Sequence, residues 1–188
     1  MKRKIYTIWT TLLVVMLMAT PVYAGNIKLQ GSWGVGSIHF DGYATGVGGY
    51  DGITLALTGY GIPDVICTNQ GGNDAPGQNP SQITVTGFTY ISPDEIEWTT
   101  TKGKTPVTVS ANENPEDGTF TLSGLAGGCP NDNWTATIVG MEWHGAIIDV
   151  YEGDSTSGTL LKTFEFSCDP SQKVGETLSC TQVSVITY

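Results

Sequence analysis

The sequence predicts an all-β domain, an antiparallel β-sandwich of Ig-like or jelly-roll-like form, stapled by disulfides. Three observations predict it. Apolar residues recur with period two in about ten segments of roughly 4–8 residues. Clusters of Gly, Asn, Asp and Pro separate most of these segments. After the first 24 residues, no stretch sustains the i, i+3, i+4, i+7 spacing of an amphipathic helix. A half-buried antiparallel sheet produces such alternation, and a sandwich is its usual packing. A barrel satisfies the same pattern.

The elements follow in chain order. Residues 1–24 read as an export signal. Lys2, Arg3 and Lys4 form a basic start, Leu12 to Ala19 an apolar run, and Val22-Tyr23-Ala24 ends on a small residue before a cut ahead of Gly25. That run is shorter than the about 20 residues a membrane span needs. Residues 25–188 are then one exported domain, long enough to bury roughly 70% of its unfolded surface. Asn26 to Gly34 is a lead-in containing Trp33. Val35 to Tyr43 alternates, with Ile38 and Phe40 facing one way and His39 and Asp41 the other. Thr45 to Asp51 turns. Ile53, Leu55 and Leu57 share a face, and Asp64 to Thr68 is a further short run. Ile83 and Val85 share a parity that Phe88 and Tyr90 break, so a bulge at Gly87 is expected to restore all four to one side. Ile96 and Trp98 mark a strand, with Trp98 in the core; Val107 with Val109 and Phe120 with Leu122 mark two more. Trp134, Ala136 and Ile138 begin a longer strand. Its parity shifts at Gly140 to Met141 and Trp143, and Gly145 is a turn candidate before Ala146, Ile148 and Val150. Phe164 and Phe166 are in phase, and Val183 and Val185 form the last strand.

The chain carries a net charge of −10, and losing the signal's three basic residues makes it more acidic still. Such a surface disfavours nucleic acid and anionic lipid as partners. No membrane insertion is expected once the signal is removed. The four cysteines, Cys67, Cys129, Cys168 and Cys180, all lie in the exported part. Their even number in an oxidising compartment predicts two disulfides. Three pairings are open. Cys67–Cys129 with Cys168–Cys180 is favoured, because Cys67 and Cys129 open the two runs densest in Asn, Gly and Pro: 67–80 and 129–134. No C-x-x-C spacing supports a zinc site.

Candidate chemistry is sparse. His39 with Asp41, and Glu142 with His144, each place an imidazole beside a carboxylate on one strand face. If the two strands adjoin, the four groups assemble a metal or acid–base site. Otherwise they are two solvated strand faces. The Asn and Asp residues of 69–79 and 131–133 have calcium's oxygen chemistry, but lack the D-x-[DN]-x-[DN]-G loop and suit tight turns. Asn133-Trp134-Thr135 matches a glycosylation sequon. Trp33, tied least to any strand, is the candidate for stacking on a sugar ring. The sequence has no G-x-S-x-G, H-E-x-x-H or phosphate loop.

The segments Cys67-Thr-Asn-Gln-Gly-Gly-Asn73, Ala75-Pro-Gly-Gln-Asn-Pro80 and Cys129-Pro-Asn-Asp-Asn-Trp-Thr-Ala136 resemble a group of uncharacterised secreted bacterial proteins. The run from Ile147 through Tyr151 to Phe166 is similar to their closing strands. The resemblance implies export and a structural Cys67–Cys129 pair, and carries no activity or catalytic residue. The expectation is therefore a secreted protein, extracellular or periplasmic, that works by surface contact without cofactor or catalysis. A carbohydrate-binding module is the first alternative, with glycan as its partner. A metal-dependent enzyme is the second.

Overall fold

The computed structural model describes residues 26–99, 103–115, 120–174 and 177–188, with the side chains of 97–99 and 171–174 outside that description. The expected signal segment and the side chain of Trp98 lie outside it too. Among these residues nine strands follow in chain order: β1 (Lys28–Gly34), β2 (His39–Thr45), β3 (Ile53–Thr68), β4 (Asp74–Pro76), β5 (Ile83–Ile91), β6 (Thr105–Ser110), β7 (Thr135–Glu152), β8 (Leu160–Val174) and β9 (Thr177–Thr187). Among the described residues one helix, α1 (Pro93–Thr99), lies between β5 and β6.

All strand pairs are antiparallel and belong to one sheet, ordered β4-β3-β7-β8-β9-β1-β2-β6, with β5 beside β4 on the same edge of β3. The sheet curls into a half-barrel, which corrects the expectation of a sandwich. Two separate sheets do not form because β9 belongs to both halves. It pairs with β8 along its length, and with β1 at Trp33–Leu178 and Gly34–Thr177. The run after β6 meets β5, where the Asn112 N–H donates to the Thr86 carbonyl (2.8 Å).

The spine is β3 with β7, two strands of 16 and 18 residues. Odd-numbered residues of β3 from Ile53 to Cys67 are buried without interruption, so the two runs read from the sequence are one strand. In β7 the phase is reset twice. One extra residue, Val139, lies between the Asp64–Gly140 and Val65–Ile138 pairs; another, His144, lies between Tyr60–Gly145 and Gly61–Trp143. These bulges keep Ile138, Met141, Trp143, Ala146, Ile148 and Val150 all inward. Gly145 is not a turn but part of the strand. The Tyr60 ring lies over it, and an added Cβ would come within 2.3 Å of the Tyr60 hydroxyl and 2.7 Å of the Phe166 carbonyl.

Other expectations are corrected similarly. The lead-in is strand β1, whose Trp33 packs edge-on against Phe40 and Phe166 (centroids 5.3 and 5.0 Å). No bulge occurs at Gly87. The β3–β5 register is regular throughout, so Ile83 and Val85 face in while Phe88 and Tyr90 face out. Gly87 itself faces the Ser110 carbonyl, which would stand 1.9 Å from an added Cβ. Leu122 makes only an isolated bridge to Ala136. The stretch expected as a strand at Ile96 is α1, because Ser92 caps it. The Ser92 N–H and hydroxyl donate to the Glu95 carboxylate (2.7 and 2.9 Å), and the Glu95 N–H donates back (3.4 Å). Pro93 occupies the first helical position, where its missing N–H is not needed. These donors hold the Glu95 carboxyl below its ordinary range.

Two disulfides join Cys67 to Cys129 and Cys168 to Cys180. The first anchors the end of β3 to the 123–134 turn region. The second joins directly paired residues of the β8–β9 hairpin. Lys162 of β8 is buried and donates to the Ile27 carbonyl (2.8 Å), tying β8 to the chain just before β1. Burial and then the neighbouring Lys28 push its ammonium pKa down.

Candidate functional site

The sequence-derived residues separate in space. His39 and Asp41 stand on the outer face of β2, with His39 Nε2 3.7 Å from Asp41 Oδ2. His39 Nδ1 donates to the Ser37 carbonyl (3.0 Å), and Asp41 accepts from the Thr108 hydroxyl (2.6 Å). Glu142 and His144 are exposed on β7, which three strands, β8, β9 and β1, separate from β2. The quartet is therefore not assembled, and among the described residues no three His, Cys, Asp or Glu converge as metal ligands. Period two assigns a face; it does not assign neighbours.

Trp33 is corrected as well. It is 4% exposed within the core, so its faces are occupied by Phe40 and Phe166 rather than open to a sugar. Trp143 is fully buried and Trp134 is partly buried against the core. The Asn-rich runs are turns. Asn69 Oδ1 accepts from the N–H groups of Gly71 and Asn73 (2.9 and 3.0 Å), and Asn131 Oδ1 from that of Asn133 (2.9 Å). Those oxygens are occupied in shaping backbone. Asn133 of the sequon is exposed.

Two surfaces carry chemistry. A cleft of about 310 Å³ opens on the outer side of β2 and β6, lined by Asp41, Gly42, Tyr43, Pro106, Val107 and Thr108. Lys104 Nζ stands 5.6 Å from the Tyr43 ring centroid. Asp41 of the His39–Asp41 pair lines this cleft.

The second surface was not singled out by sequence. On the outer face, register aligns Phe88 (β5), Ala56 (β3), Asp149 (β7), Thr163 (β8) and Ile186 (β9) in one row. The next row holds Tyr90, Thr54 and Tyr151. The small side chains of β3, with Ala56 partly buried and Thr54 fully buried, thus lie as a floor between aromatic rings on β5 and β7, two strands or roughly 10 Å apart. Phe88 is 61% exposed. Desolvation, then the charge of Asp149, then Tyr188 push the Tyr151 pKa up. Asp149 accepts from the Thr163 hydroxyl (2.5 Å) and Glu165 from the Ser184 hydroxyl (2.6 Å), which fixes both carboxylates on the floor's far side. The signal for this surface was Phe88 and Tyr90 out of phase with Ile83 and Val85.

No protein-family model matches the chain, and neither a curated protein nor a solved structure matches it.

Proposed function

We propose that this is an exported, non-enzymatic protein of the cell exterior that acts by surface contact, and that its contact face is the outer side of β5, β3 and β7. The exposed Phe88 ring beside Tyr90, across a small-residue floor from Tyr151, is the observation that carries the reading. Phe88 stands out on the sheet's solvent side, and rings rimmed by polar groups suit contact surfaces. Export rests on the N-terminal signal pattern and agrees with two disulfides. Among the described residues no helix is long and apolar enough to cross a membrane.

The same rings favour a carbohydrate as the second reading, now through Phe88, Tyr90 and Tyr151 in place of Trp33. Rings on alternate strands, flanked by Asp149 and Thr163, offer stacking faces and hydrogen-bonding groups together. Pull-down on insoluble polysaccharides and a glycan array test this with the Phe88→Ala/Tyr90→Ala variant. Each ring is worth about 1 kcal/mol, so the double change is expected to weaken glycan binding by more than about tenfold while leaving the melting temperature unchanged. Binding that survives the change places the contact elsewhere. Absence of glycan binding leaves the structural, protein-contact reading. Catalytic turnover by the purified protein would overturn the non-enzymatic reading altogether.

A further inference from the structure

The C-terminal part of β9 has a partner on one side only. Its pairing with β1 ends at Trp33–Leu178; beyond that, residues 179–187 pair with β8 alone. Thr181 to Gln182 and Val185 to Thr187 are exposed, and so is Val183, at 61%. Val185 and Ile186 lie on opposite faces of the strand, paired with Phe164 and Thr163, and Ile186 is still 44% exposed. The backbone groups along this side have no strand partner among the described residues.

The strands at the ends of the sheet are protected by composition or by cover; of the other one-sided runs, β7 before Gly145 carries Glu142 and two bulges, and β1 before Trp33 begins at Lys28. β6 carries Pro106 and is preceded by Lys104. β5 meets the run after β6 through the Thr86–Asn112 bond. β4 is three residues long and ends on Pro76. From Ser179 to Tyr188, by contrast, there is no charged side chain, no Pro and no Gly, and the residues are mainly Val, Ile, Thr, Ser and Tyr. Its one irregularity is Val183, an extra residue between the Glu165–Ser184 and Phe166–Gln182 pairs, which leaves 184–187 regular.

We propose that this edge binds the same edge of a second copy, β9 against β9, antiparallel across a two-fold axis. Charge selects the occupant. A basic partner would be drawn to the carboxylates that give the chain its net charge of −10, and this strand offers it none. Two copies repel each other over most of their surfaces, and the uncharged edge is where that repulsion is least. An isologous antiparallel ladder satisfies the open backbone groups of both strands at once. It also continues the outer face, since Ile186 lies in the row of Phe88, Ala56, Asp149 and Thr163. The pairing does not depend on what that face binds.

Sedimentation velocity of the purified protein over a wide concentration range tests the proposal, alongside Ile186→Lys. Lysine at this position makes the net charge less negative, so general repulsion between copies falls. Only a local clash of like charges across the axis then explains a loss of association. The expected result is a reversible dimer that Ile186→Lys weakens by more than about tenfold. Hydrogen exchange supplies the second readout: amides of 184–187 should be slowed at high concentration in the unaltered protein and not in the variant. A monomer at every concentration overturns the proposal, as does a dimer that Ile186→Lys leaves intact. Should Ile186→Lys fail to fold, the concentration dependence of exchange in the unaltered protein decides by itself.

Discussion

The two disulfides do different work in different surroundings. Cys67–Cys129 holds a region with little regular structure. On one side is the 69–80 run, shaped by the Asn69 side chain and the short β4; on the other is the 123–134 turn region. Backbone bonds cross between them at Gln78–Gly128 and Ser81–Ala126 (both 2.8 Å). Cys168–Cys180 sits inside a hairpin whose ladder runs from Lys162–Thr187 to Val174–Thr177. The first bond substitutes for strand pairing and the second reinforces it. A covalent link matters most where hydrogen bonding alone leaves many alternative conformations.

The strongest way to break this comparison is to remove each bond in turn. Cys67→Ala/Cys129→Ala opens a loop of 62 residues and is expected to lower stability by about 4 kcal/mol, read as a shift in the urea midpoint. Exchange of amides in 69–80 and 123–134 should accelerate with it. Cys168→Ala/Cys180→Ala opens a loop of 12 residues, for which the same relation gives about 3 kcal/mol. The β8–β9 ladder already limits that hairpin, so slow exchange along 160–169 should persist. If the hairpin bond proves the more costly to lose, the contrast fails. A smaller change sharpens it. Asn69→Ala removes an acceptor for two backbone N–H groups at an exposed turn, and about 1 kcal/mol is expected from thermal melts. In a Cys67→Ala/Cys129→Ala background that effect should shrink, since the turn is then held less firmly.

Much of the strand content was legible in the sequence, because period two survives in β3, β5 and β7 and the bulge near Gly140 leaves a visible parity change. The cysteine pairing was favoured from the composition of the runs that Cys67 and Cys129 open. The order of strands was not legible. Nothing local says that β9 stands between β8 and β1, so the His39–Asp41 and Glu142–His144 pairs could be assigned faces but not adjacency. Strand β1 was obscured by Gly31, Ser32 and Gly34, which read as loop. In the fold, the Phe40 ring covers the inner side of Gly31, within 2.7 Å of where a Cβ would stand. Helix α1 was the opposite case: Ser92-Pro93-Asp94-Glu95 is a complete local start signal, outweighed in the reading by the alternation of Ile96 and Trp98. Phe88 is not legible in the same way, because apolar character does not by itself assign a residue to the inner face.

The pairing of β3 with β7 also sets the order of events as the chain folds. Ile53 meets Glu152 and Thr68 meets Thr135, so the central ladder joins segments far apart in the chain. Such distant contacts close slowly, because the entropy of the intervening chain is lost before the contacts form. During synthesis β3 emerges first and must wait for β7 with its apolar side unpaired. The central ladder therefore closes only once both segments are present together, and Cys67 meets Cys129, 62 residues further on, only after the chain between them has emerged.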